Sequence, residues 1–214
     1  MKRVLILGAT GNGLFNANMI NQTFDAGLCN FRCTGFVNDS PEGFKGYPVA
    51  GGFDKIDEFL EDDYYFLVGF GVDSRPGRRN FFADLNIPPE RYATFVHPTA
   101  VISGDVVIEP GVIINPNVTI NTGTTVGEGV RIMPGATIGS DCVLRQYSFV
   151  SVNSCIDDKC TLEEGCYLGL GSFLGEGVTV GDSSLLGMGG FLEKSIGSNE
   201  IWVGNPARFL KKRF

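Results

Sequence analysis

The aliphatic residues of the second half of the chain recur with a period of six. Divided into hexapeptides from Ala100, residues 100–195 give sixteen blocks with no residue left over, from AVISGD and VVIEPG to SLLGMG and GFLEKS. The third residue of every block is Ile, Leu or Val, and the first is always Ala, Val, Thr, Cys, Ser or Gly. An unbroken repeat of this length indicates a repeat architecture.

A period of six fits neither a long helix, which needs 3.6, nor one long strand, which needs 2. It fits a short strand followed by a turn. The aliphatic third residue points inward beside the small first residue, and Gly, Asn, Asp and Pro at positions four to six supply the turn. Three blocks close a triangular coil, and successive coils pair in parallel about 4.8 Å apart. We therefore predict an all-β parallel β-helix over residues 98–195, capped by a tail at residues 196–214.

The first hundred residues alternate apolar runs with helical patterns, which is typical of a parallel sheet flanked by helices. A glycine turn between the first strand and the first helix favours a Rossmann-like unit, at most half of a full dinucleotide-binding fold. We predict this α/β domain over residues 1–97, with Asp54 as the N-cap of its second helix. The predicted strands are residues 3–7, 32–37, 47–49, 64–70 and 92–96, and the predicted helices are residues 14–24, 54–60 and 78–85.

The glycine turn reads G-x-x-G-x-G between Gly8 and Gly13. Backbone N–H groups at such a helix start suit a phosphate, although the same loop also serves as a tight turn without a ligand. Asp39 follows the second strand, where ribose or base contacts lie in folds of this kind. Alternatively, Asp39 is simply a solvated loop residue.

Composition excludes several functions. The net charge of −7 argues against a nucleic-acid partner. His97 is the only histidine, so no mixed Cys/His metal site is expected; His97 is either a catalytic base or merely the start of the first coil, and we favour the second. Three of the six cysteines, Cys142, Cys160 and Cys166, occupy first positions of hexapeptides. We expect reduced thiols, a cytoplasmic protein and, because no apolar run reaches 18 residues, no membrane span.

Four features occur in a familiar order: the half Rossmann unit, the His97-Pro98 join, the hexapeptide repeat and the tail VGNPAR, which ends at Arg208. Across essentially the whole chain, this order resembles the nucleotide-sugar acyltransferases related to sialic-acid O-acetyltransferase and to the N-acetyltransferase of bacillosamine synthesis. The resemblance implies a left-handed β-helix and a homotrimer with acyl-CoA, most simply acetyl-CoA, between neighbouring helices. It also implies N- or O-acylation of a nucleotide-linked sugar in bacterial surface-glycan biosynthesis, without a metal.

The resemblance also assigns binding residues. It places the nucleotide sugar on the glycine loop and on the acidic residue after the second strand, and it places the coenzyme on the last coils and the basic tail. The sugar-nucleotide residues are Gly8, Thr10, Gly11, Asn12, Gly13 and Asp39, and the coenzyme residues are Gly187, Gly189, Arg208, Lys211 and Lys212.

The sequence departs from this family at the catalytic histidine. The family's acid-His-acid-Cys reads Gly-Ser140-Asp141-Cys here, and a second family histidine falls at Phe149. A serine hydroxyl cannot act as a general base near neutral pH. The 18-residue coil stacks Ser140, Asp158 and Glu176 on one corner, with Asp141 and Lys159 in the next column.

We therefore expect Asp141 or Asp158 to accept the proton and Ser140 to act as an orienting group. The preferred acceptor of the acyl group is an amine, because a neutral amine attacks a thioester with positioning as the main help. Two alternatives stay open. The corner is a solvated charged turn, or the protein is a non-catalytic relative that only binds nucleotide sugars.

Overall fold

The computed structural model describes residues 1–40, 44–69 and 85–214. The chain forms two compact units, Met1–Phe95 and Val96–Phe214. In the described part of the chain, no helix is both long and apolar enough to cross a membrane.

The first unit is a four-stranded parallel sheet with helices. The strands run in the order β3-β2-β1-β4, and every neighbouring pair is parallel. Its core is formed by aliphatic and aromatic residues of the strands and of α2. The elements are β1 (Lys2–Leu7), α1 (Gly11–Asp25), β2 (Phe31–Val37), β3 (Val49–Gly51), a 3-10 turn (Phe53–Lys55), α2 (Ile56–Glu61), β4 (Tyr65–Val68) and a second 3-10 turn (Pro89–Arg91).

The first two predicted strands are observed to within one residue, whereas other boundaries differ. The strand predicted at residues 47–49 lies at Val49–Gly51 because Tyr47 pairs with Phe44 in an isolated antiparallel bridge. The strand predicted at residues 64–70 is β4, with residue 70 outside the described residues. The helix predicted at residues 78–85 also lies outside them, except for its last residue, which is in a turn.

The two described helices begin differently, α1 after a side-chain cap and α2 directly after a 3-10 turn. Helix α1 begins at Gly11, three residues before the prediction, because Thr10 is its N-cap and accepts a hydrogen bond from Gly13 N at 3.1 Å. The prediction of Asp54 as an N-cap is wrong. Asp54 lies inside a 3-10 turn that begins after Gly52, and α2 follows with Lys55 at its N-cap and no side-chain capping bond.

The second unit is a parallel β-solenoid in which the second and third residues of each hexapeptide form a strand. The strand predicted at residues 92–96 is reduced to β5 (Phe95–Val96). The other strands are β6 (Val101–Ile102), β7 (Val107–Ile108), β8 (Ile113–Ile114), β9 (Thr119–Ile120), β10 (Thr125–Val126), β11 (Arg131–Ile132), β12 (Thr137–Ile138), β13 (Val143–Leu144), β14 (Phe149–Val150), β15 (Cys155–Ile156), β16 (Thr161–Leu162), β17 (Tyr167–Leu168), β18 (Phe173–Leu174), β19 (Thr179–Val180), β20 (Leu185–Leu186), β21 (Phe191–Leu192), β22 (Glu200–Val203) and β23 (Arg208–Lys212).

Three parallel sheets form the sides of the solenoid. Their orders are β19-β16-β13-β10-β7, β21-β18-β15-β12-β9-β6 and β22-β20-β17-β14-β11-β8-β5, with β23 added antiparallel to β22. Every third-position residue from Ile114 to Leu192 is buried in one continuous core. Cys142, Cys160 and Cys166 are buried in the same core at first positions, as predicted.

The turns follow a backbone rule. The sixth residue of every block from Gly111 to Gly189 has a positive φ. A side chain at this position extends over the residue one coil earlier: a Cβ built on Gly123 would overlap Asp141 Oδ1, and one on Gly135 would overlap Asn153 Oδ1. A residue other than glycine in one coil therefore favours glycine in the coil before it.

The first prediction concerns the close approach of neighbouring coils. At Gly169, a Cβ would lie 2.6 Å from Met188 N and 2.8 Å from Gly187 C, both backbone atoms. At Gly104, nothing lies within 4 Å of a built Cβ. We expect Gly169→Ala to lower the free energy of unfolding by about 2 kcal/mol, because backbone must move, and Gly104→Ala to change it by less than about 0.5 kcal/mol. Urea unfolding monitored by circular dichroism compares them; equal losses would contradict the packing argument.

The second prediction concerns the thiols. Burial raises the pKa of the Cys33 thiol to about 11 and that of Cys166 to about 12, whereas Cys29 and Cys155 are half-buried. Since the thiolate is the reactive form, we expect a disulfide reagent at pH 8 to titrate at most two of the six thiols in the folded protein and all six in guanidinium chloride. Mass spectrometry would locate the labels, and rapid labelling of Cys166 would contradict the buried core.

Candidate active site

The corner predicted from the repeat brings its residues into direct contact. Ser140 N donates a hydrogen bond of 2.6 Å to Asp158 Oδ1 in the next coil. Lys159 N donates to Ser140 O at 2.8 Å, and Gly177 N donates to Asp158 O at 2.9 Å. The parallel register of β12, β15 and β18 aligns these three coils residue by residue. The predicted stacking of Ser140 beneath Asp158 is therefore observed.

Gly139 makes this contact possible, and the sequence interpretation did not include it. A Cβ built on Gly139 would lie 2.6 Å from Asp158 Oδ1 and 2.7 Å from Asp158 N and Asp157 C. Asp157 also supports the corner, since its Oδ1 accepts a 2.9 Å hydrogen bond from Asp158 N. The sequence feature that could have indicated this role is a glycine at the fourth position of its hexapeptide, with Asp157 and Asp158 one coil later.

Asp141 and Lys159 form the adjacent column. Asp141 is exposed, and its backbone N donates to Thr122 O at 2.9 Å. The Lys159 Nζ lies 2.5 Å from Glu176 Oε1. The hydrogen bond and charge of Glu176 raise the pKa of Lys159, with smaller contributions from Asp158 and Asp141. Lys159 is therefore a cation within an otherwise acidic corner.

This column breaks the backbone rule of the other turns. Asp141 and Lys159 have φ values of 56° and 59°, a conformation that costs a residue other than glycine about 1–2 kcal/mol. Most left-handed residues of the hexapeptide repeat other than glycine lie above a glycine in the preceding coil. Within the repeat, only Lys159 lies above another left-handed residue that is not glycine, Asp141. In the cap, Asn199 follows Ser183 in the same way, but asparagine tolerates this conformation well. Local strain of this kind concentrates at functional sites.

His97 lies at a different corner and is arranged for structure. Its Nδ1 accepts a 3.2 Å hydrogen bond from Thr99 N and lies 2.9 Å from Thr99 Oγ1, so in the neutral ring the proton is on Nε2. Burial lowers the pKa of His97, which favours that neutral ring. Its backbone N donates to Ile114 O at 2.9 Å. This arrangement agrees with the interpretation that His97 starts the solenoid.

Phe149, at the position of the second family histidine, belongs to an aromatic stack. Its ring lies parallel to that of Tyr167, with centroids 5.2 Å apart and an interplanar angle of 9°. Phe149 is buried on β14. It therefore supplies packing and no acid–base group.

Two backbone donors of the glycine loop have no acceptor among residues 1–40, 44–69 and 85–214. Thr10 Oγ1 accepts from Gly13 N and donates to Gly69 O at 2.6 Å, and Gly8 N donates to Val37 O at 2.8 Å. Gly11 and Asn12 begin α1, where backbone N–H groups have no intrahelical acceptor. Of the predicted loop residues, Gly11 and Asn12 are thus available to a ligand, whereas Gly8, Thr10 and Gly13 hold the turn.

The two residues that follow β2 accept hydrogen bonds from different segments, Asn38 from the glycine loop and Asp39 from the 3-10 turn. Asn38, which the sequence interpretation missed, accepts a long hydrogen bond of 3.5 Å from Ala9 N through Oδ1. Asp39 Oδ1 accepts one of 3.4 Å from Phe53 N. Asp39 therefore lies where it was predicted and also helps to cap the 3-10 turn at Phe53–Lys55.

A cavity of about 490 Å³ lies between the last coil and the tail hairpin. Arg208 lines it, as do two residues that the sequence interpretation did not assign, Lys194 and Trp202. The Lys194 Nζ lies 5.6 Å from the centroid of the Trp202 ring. The sequence signal was an isolated lysine at the end of the repeat beside the only tryptophan. The other residues that line the cavity are Phe191, Leu192, Glu193, Pro206, Ala207 and Phe209.

The remaining predicted coenzyme residues lie outside this cavity lining. Lys212 pairs with Glu200 Oε1 at 3.0 Å, and Lys211 is exposed on β23. Gly187 N donates to Trp202 O at 2.8 Å, and Gly189 occupies a left-handed turn. Among the described residues, no group of three or more His, Cys, Asp or Glu side chains is arranged to hold a metal ion.

Three solved structures share the fold over nearly the whole chain. A mutant perosamine N-acetyltransferase from Caulobacter crescentus, in complex with CoA and GDP-perosamine, has 24% identity and a TM-score of 0.83, covering 99% of this chain and 98% of that chain. The acetyltransferase domain of PglB from Neisseria gonorrhoeae FA1090 has 22% identity and a TM-score of 0.83, covering 98% and 100%. WeeI from Acinetobacter baumannii AYE has 21% identity and a TM-score of 0.73, covering 98% and 100%.

These likenesses establish the fold. The resemblance to hexapeptide-repeat sugar acyltransferases is confirmed at that level, and the solenoid matches the left-handed β-helix that the resemblance implied. No curated protein sequence matches the chain significantly. Residues 91–199, half of the chain, match the family model of the GMPPB C-terminal domain. The chain therefore belongs to the GMPPB C-terminal domain family.

Proposed function

We propose that this protein transfers an acyl group, most simply acetyl, from acyl-CoA to the amine of a nucleotide-linked sugar. The observation that carries the proposal is the contact between Ser140 and Asp158, at the corner where the turn pattern breaks. The full-length match to an N-acetyltransferase fold that holds CoA and GDP-perosamine supports it. The kinetic experiment below compares UDP-, GDP- and dTDP-linked amino sugars as acceptors.

Asp158 is the proposed proton acceptor. The neutral amine attacks the thioester carbonyl carbon, the C–N bond forms, the C–S bond breaks, and the proton that the amine loses passes to the carboxylate and then to the departing thiolate. Ser140 N holds Oδ1 of Asp158 at 2.6 Å, which leaves Oδ2 for the amine. A neutral amine is a stronger nucleophile than a sugar hydroxyl and depends less on a weak base such as a carboxylate, so an amine suits this corner better. Asp141 is the second candidate acceptor, and the Ser140 hydroxyl orients the amine.

The first unit is the proposed nucleotide-sugar site. The all-parallel strand order β3-β2-β1-β4 supports this proposal, because in a Rossmann-like half sheet ligands bind beyond the carboxyl ends of the strands. The N–H groups of Gly11 and Asn12, which have no acceptor in the described part of the chain, suit the diphosphate at the start of α1. Asp39, which follows β2, is the proposed contact to the ribose or the base.

The cavity beside the tail hairpin is the proposed coenzyme site. Lys194 and Arg208 can pair with phosphate, and the Trp202 ring offers a surface for the adenine. We also propose a homotrimer, since the solenoid has flat sides and closed rings are common among homo-oligomers. In such a ring, the coenzyme would extend between neighbouring solenoids.

One alternative function keeps specific support. Ser140 stands where the nucleotide-sugar acyltransferases that the sequence resembles have their catalytic histidine. A relative that binds nucleotide sugars without turnover would have this feature. Tight sugar-nucleotide binding without release of coenzyme A thiol would favour it, and so would activity that appears only after Ser140→His.

The proton acceptor can be tested against a matched control. Asp182 Oδ1 accepts from Glu164 N at 3.2 Å, the same contact between successive coils at another corner. We expect Asp158→Asn to lower kcat about 100-fold or more, the usual contribution of general-base catalysis, and Asp182→Asn to leave it within about 2-fold. Thiol release from acetyl-CoA is measured with UDP-, GDP- and dTDP-linked amino sugars. Equal effects of the two variants would contradict the assignment of Asp158.

The coenzyme cavity can be tested by binding. We expect Arg208→Gln to raise the Kd for coenzyme A about 10-fold or more, because a charge-assisted contact to phosphate is lost. The matched control is Arg32→Gln, which removes an exposed arginine from the first unit. Isothermal titration calorimetry with coenzyme A and with its 3′-dephospho form would show which phosphate is bound. An unchanged Kd in Arg208→Gln would exclude this cavity.

A further inference from the structure

We infer that Lys159 supplies the positive charge that stabilises the thioester oxygen and the departing thiolate during acyl transfer. This inference rests on the proposed function. It concerns a residue that the resemblance does not assign and that is placed beside the proposed proton acceptor.

The turn itself does not require lysine at this position. Gly177, one coil further on, and Gly123, two coils earlier, occupy equivalent positions with positive φ. A glycine would adopt the left-handed backbone of residue 159 without strain. The Lys159 side chain contributes little to packing, since it is 63% exposed. What lysine adds at this position is therefore its charge.

The surroundings keep this charge in place. Glu176 Oε1 holds the ammonium at 2.5 Å from the following coil. The carboxylates of Asp141 and Asp158 raise the pKa of Lys159 further, after the effect of Glu176. Lys159 therefore acts as a permanent cation and not as a base. An acidic corner without it would repel the negative charge that develops during the reaction.

The charge fits the chemistry of the step. As the amine nitrogen bonds to the carbonyl carbon, the carbonyl oxygen becomes an oxyanion, and when the C–S bond breaks the electron pair leaves on sulfur. Asp158 takes one proton from the amine and returns it to the sulfur, so Lys159 keeps its own protons. Preorganised positive groups at developing negative charge are among the largest contributions to catalysis.

The test separates charge from backbone strain. Lys159→Gly removes both, Lys159→Arg keeps the charge, and Tyr147→Gly removes the same left-handed strain at another corner, where φ is 59°. We expect Lys159→Gly to retain or raise the melting temperature and to lower kcat about 100-fold with little change in KM. Lys159→Arg should keep kcat within about 10-fold, and Tyr147→Gly should leave it unchanged.

Two kinetic outcomes would overturn the inference. If kcat of Lys159→Gly equals that of the wild type, Lys159 is only a solvated turn residue. If KM rises and kcat does not change, Lys159 binds a ground-state anion such as the sugar-nucleotide diphosphate.

A readout without turnover distinguishes this inference from the proposed function. A cation near the bound sulfur lowers the pKa of a thiol. We expect the thiol of bound coenzyme A, titrated by its ultraviolet thiolate absorbance, to ionise at least about 1 pH unit lower in the wild type than in Lys159→Gly. If this difference appears and no sugar is acylated, the inference stands and the proposed sugar acceptor fails. If sugars are acylated and the difference is absent, the inference alone fails, and without coenzyme A binding both fail.

Discussion

The in-register pairing of successive coils is the constraint on which the second unit depends. Backbone bonds such as Val143 N to Cys160 O, at 2.9 Å, repeat from coil to coil along each side of the solenoid. Because the register does not slip within the hexapeptide repeat, a residue there meets the residue eighteen positions later. The interior ladder of aliphatic residues, the turn columns and the contact between Ser140 and Asp158 all follow from this spacing. Tertiary structure here is therefore close to a direct consequence of sequence spacing.

The regular corners of the solenoid require a left-handed backbone conformation at one position in each hexapeptide from Gly111 to Gly189, and glycine adopts that conformation most easily. Where a larger residue occurs, its side chain extends over the preceding coil, as Asp141 does over Gly123. Where two residues other than glycine are left-handed in successive coils, as at Asp141 and Lys159, the backbone carries conformational strain that glycine would avoid. Such departures are therefore more informative about function than the charge of a turn residue, because charged turn residues are common on any solenoid.

The sequence predicted the solenoid more fully than the site. The six-residue period assigned each residue of the repeat to a strand, to the interior or to a corner. This assignment depends only on spacing along the sequence and not on contacts with distant segments. Boundaries in the first unit were less predictable: Thr10 extends α1, and a 3-10 turn displaces Asp54 from its predicted capping position. The role of Gly139 could not be derived from spacing, since it depends on how closely Asp158 approaches in space. The cavity beside Arg208 likewise required the path of the tail hairpin, which lies outside the repeat.

The eighteen-residue register also limits how such a protein can change in length. Inserting or deleting a residue within a strand between Ser140 and Asp158 would move the adjoining aliphatic residues out of the interior, whereas a few residues added at a corner can loop out and keep the later coils in register. A duplicated whole coil would keep the interior intact, yet between these residues it would place an unrelated side chain above Ser140. The same duplication after Gly177 would leave the corner unchanged and only move the tail cavity one coil further away. The distance between the proposed reacting corner and the proposed coenzyme cavity can thus vary only in steps of one coil, about 4.8 Å each.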